Sequence, residues 1–98
     1  MKKFKRRDVF YVYILECQKG TYYTGYTNNL EKRLKLHNNG KGAKYLRGKG
    51  PLKLVWAKGY KYLRYAMSAE YKIKQLNRRQ KESLINGMRL DKVFSRKK

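Results

Sequence analysis

The sequence predicts an α+β fold: a three-stranded antiparallel sheet flanked by helices, in the order β-β-α-β-α-α. Three observations predict it. Residues 9–27 hold two β-branched and aromatic runs, VFYVYILEC and YYTGYT, joined by a turn that contains Gly20, which reads as a hairpin. Residues 52–60, LKLVWAKGY, supply a third such run. The segments on either side of that third run carry apolar residues at helical rather than alternating spacing. At 98 residues, 41% of them hydrophobic, the chain has material for one folded domain. Its expected extent is residues 9–87, with a basic N-terminal arm over 1–8 and a basic C-terminal tail over 88–98.

Each element has a local cause. Gln18 to Thr21 form the hairpin turn, where Gly20 supplies a permissive backbone. Asn28 and Asn29 are N-cap candidates for a helix over LEKRLKLHN, residues 30–38. The i, i+3, i+4, i+7 rule puts Leu30, Arg33, Leu34 and His37 on one face of that helix, which the two leucines mark as inward. Residues 38–50, NNGKGAKYLRGKG, are glycine-rich and basic and read as a loop, with a short helical turn around Ala43 to Arg47. Pro51 opens the third strand, in which Leu52, Leu54 and Trp56 alternate with Lys53 and Val55. A long helix is expected over Tyr62 to Leu76, with an inward stripe of Leu63, Ala66, Met67 and Ile73 and with Glu70 filling the remaining slot. Asn77 and Gln80 are placed to form a capping box for a last helix, whose apolar side is Leu84, Ile85 and Met88 and which Gly87 ends.

Charge bounds the function. Twenty-seven Lys and Arg face six Asp and Glu, a net charge of +21. A compact state carrying that excess repels itself, and a polyanion relieves the repulsion. Nucleic acid phosphate is the expected partner, through counterion release. An anionic membrane has no support from a long apolar run or a lipid-seeking amphipathic helix. The single cysteine, Cys17, reads as a buried inert thiol and excludes a disulfide framework or a zinc cluster within one chain. That usage fits a cytoplasmic location. The start, MKKFKRRDVF, lacks the apolar stretch of a secretory signal.

The six carboxylates limit the chemistry. Asp8 and Asp91 lie near the termini, Glu16 at a strand end, and Glu31 and Glu82 on outer helix faces; Glu70 alone falls on an inward face. A two-metal nuclease site needs several converging carboxylates. One divalent ion on one carboxylate, completed by water and substrate phosphate, suits magnesium. The alternative for Glu70 is a structural ion pair with a nearby Lys or Arg. His37, the only histidine, has a purely structural alternative. Arg33, one turn earlier, wants an anion, which is either a bound phosphate or Glu70. Five tyrosines crowd into the hairpin: Tyr11, Tyr13, Tyr22, Tyr23 and Tyr26. Packing explains most of them. A phenol near a metal and cations also serves as a base, and aromatics on a sheet also stack on unpaired bases.

These residues resemble a known set. Tyr11-Val12-Tyr13, followed ten residues later by Tyr23-Thr24-Gly25, is similar to the paired motif of the GIY-YIG nuclease superfamily, and more narrowly to its small stand-alone bacterial members. Arg33 follows Gly25 by eight residues and His37 by twelve, as that family spaces them, and Glu70 falls where the family places its metal-binding glutamate. The likeness covers about residues 9–86. Tyr11 stands for the name-giving glycine and Thr24 for isoleucine; both are usual in the small stand-alone group. The family's late asparagine has two candidates, Asn86 and Asn77.

The resemblance implies a DNA endonuclease that hydrolyses phosphodiester bonds with one Mg2+ or Mn2+ ion on Glu70. Tyr13 would help deprotonate the attacking water, aided by Tyr23 or His37, and Arg33 would stabilise the phosphoryl charge. Gly25 would let the backbone pass close to the substrate. Lys41, Lys44, Arg47 and Lys49, in the basic loop, are the candidate backbone-phosphate contacts, unless the loop is only a flexible basic connector. RNA is a second candidate substrate, and the expected assembly is a monomer or a weak homodimer through a sheet edge. Two competing readings remain: a catalytically silent nucleic-acid-binding module, and a ribosome-associated basic protein.

Overall fold

Phe10–Glu16 form β1 and Tyr22–Thr27 form β2, and the turn between them is as tight as its glycine suggests. The Cys17 amide donates to the Thr21 carbonyl at 2.8 Å, and Gly20 sits at φ +90°, a left-handed conformation that glycine adopts without steric cost. The computed structural model describes residues 9–95. The basic arm expected over 1–8 therefore lies outside the described residues, as do residues 96–98.

Lys53–Tyr60 form β3. The sheet order is β2-β1-β3 and all pairing is antiparallel, with Tyr13 opposite Gly25 on one side and opposite Ala57 on the other. Leu30–Asn38 form α1, and Asn29 is its cap: its side chain accepts from the Lys32 amide at 3.1 Å. A 3-10 turn at Lys44–Leu46 lies where the loop was expected to turn. Leu63–Lys74 form α2 and Arg78–Ile85 form α3. The capping box at Asn77 and Gln80 is present, each side chain accepting from the other residue's amide, at 2.8 and 2.9 Å.

Alternation along β1 divides the core in two, because successive side chains of a strand leave on opposite faces. Val12 and Ile14 pack with Ala66, Ala69, Ile73, Leu76 and Leu84 from the helices after β3. Tyr13, Leu15 and Cys17 pack with Leu46 and Ala57, with Leu30 and Leu34 of α1 against them. The sheet is thus covered on both faces by different parts of the chain.

Three sequence expectations are corrected here. Leu63 and Met67 were read as inward on α2, but both are exposed; the buried residues are Ala66, Ala69 and Ile73. The centre of the apolar stripe lies further round the helix, where two alanines let the helix lie close on β1 and β2. Strand β3 does not alternate cleanly. Leu54, Val55 and Trp56 are all half-buried, as expected of a strand covered on both faces. The stretch read as a basic tail holds a fourth helix, α4, at Leu90–Ser95. Leu90, Val93 and Phe94 recur at i, i+3, i+4, and Val93 is buried against the α2 and α3 core. Among the described residues, no helix is long and apolar enough to cross a membrane.

Candidate active site

Tyr13 is the centre of the site and its position is set by β1. Its neighbours on either side, Val12 and Ile14, point into the α2 core, so Tyr13 points toward α1. Across the strand pair stands Gly25. A Cβ there would lie 2.7 Å from the Tyr13 hydroxyl oxygen and 2.9 Å from its ring carbon Cζ, so only glycine lets the phenol lie across β2. Tyr23 and His37 complete an aromatic cluster with ring centroids 6.4 Å (Tyr13–Tyr23), 6.0 Å (Tyr13–His37) and 5.6 Å (Tyr23–His37) apart.

His37 is buried and both of its ring nitrogens are engaged. The Ala43 amide donates to Nδ1 at 3.1 Å, and Nε2 lies 2.8 Å from the Tyr13 hydroxyl oxygen. Since a backbone N–H can only donate, Nδ1 carries no proton, and the neutral ring bears its proton on Nε2. His37 therefore donates to Tyr13. Burial, reinforced by the charge of Arg33, pushes the imidazole pKa below its ordinary value, which keeps the ring in that neutral tautomer. Gly42 is what makes room: a Cβ there would overlap Nδ1 and come within 2.7 Å of Cε1. Sequence reading did not single out Gly42, because its constraint is a ring brought over by a different element.

The Tyr13 phenol is pushed up to about 12, chiefly by burial and next by the neighbouring Tyr23; Arg33 opposes this through its charge and a side-chain hydrogen bond, and the Glu70 charge adds a little to the rise. Tyr13, Tyr23, Gly25, Arg33 and Glu70 together line a cleft of about 470 Å³ at the β2 side of the sheet. Its remaining wall includes Phe10, Tyr26, Thr27, Asn28 and Leu63, none of which the motif alone identifies. Asn28, beside the α1 cap, could have been suspected from its place next to the motif. A larger cavity of about 1100 Å³ lies against β3, α3 and α4, but its one acid, Asp91, is paired with Arg89 on the surface. The smaller cleft is where chemistry-bearing groups meet.

Glu70 pairs with Lys74 one turn along α2, Oε2 to Nζ at 3.2 Å, so the ion-pair alternative is realised in part. The Glu70 side chain is 18% exposed and that of Lys74 is 51% exposed; a pair half in solvent is weak and easily exchanged. Arg33 and Glu70 do not form an ion pair within 4.0 Å, although both line the cleft. The cleft thus presents a guanidinium and a carboxylate that do not neutralise each other directly. Among the described residues no three His, Cys, Asp or Glu side chains converge as a metal cluster. The donor set instead fits a hard cation that keeps most of its waters: one carboxylate, in an open cleft with room for water and phosphate.

Other expected residues fall outside the cleft. Lys41, Lys44, Arg47 and Lys49 are all exposed and none lines it. Their loop is nonetheless anchored: Leu46 is buried in the core, the Ala43 amide is tied to His37, and the Lys49 carbonyl accepts from Gln18 at 3.1 Å. Tyr45 of that loop stacks on Tyr23 with centroids 6.1 Å apart, and Lys49 Nζ lies 4.6 Å from the Tyr45 ring centroid. Tyr11 pairs across the sheet with Thr27 and Gly59 and does not line the cleft. Neither asparagine candidate reaches it: Asn77 caps α3, and Asn86 sits exposed at the end of that helix.

Known proteins resemble this chain over most of its length. A family model described as the GIY-YIG catalytic domain matches residues 9–83. A UPF0213 protein of Clostridium perfringens is 59% identical over 77 residues, covering 79% of this chain and 83% of that protein. One from Bacillus licheniformis is 52% identical over 83 residues, covering 85% and 86%. Among solved structures, the solution NMR structure of a UPF0213 protein from Bacillus halodurans is 51% identical with a TM-score of 0.54, covering 79% of this chain and 82% of that one. That of a protein from E. faecalis is 37% identical with a TM-score of 0.58, covering 87% and 88%.

Proposed function

The chain belongs to the GIY-YIG catalytic domain family, and on that premise we propose that it is a divalent-metal-dependent endonuclease acting on DNA phosphodiester bonds. The observation that carries the proposal is the meeting of Tyr13, Tyr23, Arg33 and Glu70 in one cleft, with His37 bonded behind Tyr13. Glu70 would hold one magnesium or manganese ion, whose chemistry when bound is Lewis-acid polarisation of a phosphoryl oxygen.

The side chains have separate tasks. The Arg33 guanidinium, free of Glu70, stabilises charge that develops on the phosphoryl oxygens. Tyr13, once its own proton has left to solvent, takes the proton of the attacking water as a phenolate. Its oxygen accepts hydrogen bonds from His37 and Arg33, both of which favour the phenolate, and neutralising Glu70 removes one cause of its raised pKa. His37 is a positioning residue, because its Nε2 is already a donor and its Nδ1 is held by Ala43. Tyr23 packs beside it and keeps the phenol shielded. The exposed Lys41, Lys44, Arg47 and Lys49 carry phosphate contacts along the flanking strand.

A second reading, a nucleic-acid binder that does not cut, is favoured by the Lys74 amine on Glu70, which competes for the proposed metal ligand. Nicking of plasmid and branched DNA by purified protein separates the two. The nuclease reading expects magnesium- or manganese-dependent nicking that falls roughly 10²–10³-fold in Arg33→Ala and Glu70→Ala, with both variants still folded. Cleavage by Glu70→Ala equal to that by wild type would trace to a contaminant. Tight, steeply salt-dependent binding without cleavage under any divalent metal would leave the binder.

A further inference from the structure

Apart from Val9 and Tyr45, every exposed large apolar side chain among the described residues falls between Tyr62 and Tyr71, along α2. Tyr62 is 48% exposed, Leu63 40%, Tyr65 51%, Met67 46% and Tyr71 67%. Tyr62 and Tyr65 lie on one side of α2 and the row Leu63, Met67, Tyr71 on another, and an exposed apolar cluster marks a contact with something else. Here the rings are dressed with cations. The Arg64 guanidinium carbon lies 5.0 Å from the Tyr65 ring centroid and 5.6 Å from that of Tyr62, and its Nη2 donates to the Tyr65 hydroxyl at 3.4 Å. Lys61 Nζ lies 5.4 Å from the Tyr62 centroid. The Tyr62 and Tyr65 rings meet edge to face at 5.8 Å. The patch borders the cleft: Leu63 lines it, and the i, i+4 row Leu63, Met67, Tyr71 winds outward from there.

Charge decides the occupant. Residues 61–75 carry Lys61, Arg64, Lys72 and Lys74 against Glu70 alone. A second copy would set two such faces, each on a chain of net charge +21, against one another, at a cost in repulsion. A partner with flat π faces and a negative backbone satisfies rings and cations together, and unpaired nucleotides are that partner. A duplex keeps its base faces stacked inside and offers the tyrosines nothing to stack on.

We propose that Tyr62, Arg64 and Tyr65, at the start of α2, form a stacking platform for unpaired nucleotides next to the cleft. The inference rests on the reading that the cleft takes a phosphodiester, and it names the substrate class: nucleic acid with unpaired nucleotides beside the site.

The test is binding by the whole chain in EDTA, where cleavage plays no part, measured by fluorescence anisotropy on labelled oligothymidylate and on a duplex of equal length. Replacing both Tyr62 and Tyr65 with serine should weaken oligothymidylate binding roughly tenfold or more and duplex binding less than about twofold. The salt slope should not change, because no charge is lost. Replacing both with phenylalanine should keep wild-type affinity. Equal weakening on both ligands, or none, overturns the platform. A concentration-dependent dimer in sedimentation, lost in the serine pair, would give the face to a second copy instead. Failure of the platform leaves metal-dependent nicking untouched, and a protein that never nicks leaves the EDTA result standing, so the two failures are distinguishable.

Discussion

Replacing Gly42 with alanine puts a methyl carbon into the space of the His37 imidazole. The backbone is no obstacle, since Gly42 is not among the glycines at positive φ. The obstacle is the ring, which would overlap the new Cβ at Nδ1 and meet it at 2.7 Å and 2.9 Å at Cε1 and Cγ. His37 must move, and two hydrogen bonds move with it: Ala43 N–H to Nδ1, and Nε2 to the Tyr13 oxygen. Losing two such bonds costs about 0.5–1.5 kcal/mol each, and the Tyr13 phenol keeps Arg33 as its remaining partner. The expected loss is roughly 1–3 kcal/mol, with a melting temperature lower by about 4–8 °C per kcal/mol for a domain of this size. Urea unfolding in a double-mutant cycle with His37→Ala isolates the effect. Without the imidazole the added methyl meets no ring, and Gly42→Ala should become neutral or gain about 0.4–1 kcal/mol from a stiffer unfolded chain. A Gly42→Ala protein as stable as wild type, or one that pays the same cost in both backgrounds, would refute the assigned contact.

Two further perturbations follow from the same core. Thr24 Oγ1 is buried without a partner, so Thr24→Val, similar in shape and lacking the hydroxyl, should stabilise the fold by about 1 kcal/mol; a lower urea midpoint would mean the hydroxyl is satisfied. Tyr13 has a folded pKa of about 12 against an ordinary 10.0, so the neutral phenol is the folded form and its share of stability is complete below pH 10 and lost as pH rises toward 12. At pH 11 that loss is about 1.4 kcal/mol, and Tyr13→Phe should remove this part of the change in urea midpoint between pH 8 and pH 11. An unaltered pH dependence in Tyr13→Phe would contradict the burial assigned to the phenol.

What the sequence makes legible is whatever is decided by neighbours along the chain. The hairpin around Gly20, the Asn29 cap and the Asn77–Gln80 box depend on side chains three or fewer residues apart, and each is found where the residues place it. The spacing of Tyr13, Tyr23, Arg33 and Glu70 is legible because their elements are short and regular, and all four line one cleft. What stays hidden is set by packing between elements. Helical periodicity shows that α2 has an apolar stripe but not which edge of it touches the sheet. Helical spacing sets Leu63 and Met67 in the stripe with Ala66 and Ile73, whereas close approach to the sheet selects Ala69. The basic residues around Leu90, Val93 and Phe94 obscured a short helix that the α2 and α3 core captures. Gly42 carries no local signal, because its reason is a histidine ring five residues away whose direction is fixed by Tyr13.

If Glu70, Arg33 and Tyr13 form a site that takes a divalent cation together with a phosphodiester, manganese will find it. Titrating Mn2+ into the isotope-labelled protein, with a short oligothymidylate present, should broaden the amide signals of Glu70, Gly25 and Tyr13 first, and Glu70→Gln should abolish that selectivity. Broadening spread evenly over the surface, or unchanged in Glu70→Gln, would contradict a metal-assisted site in this cleft.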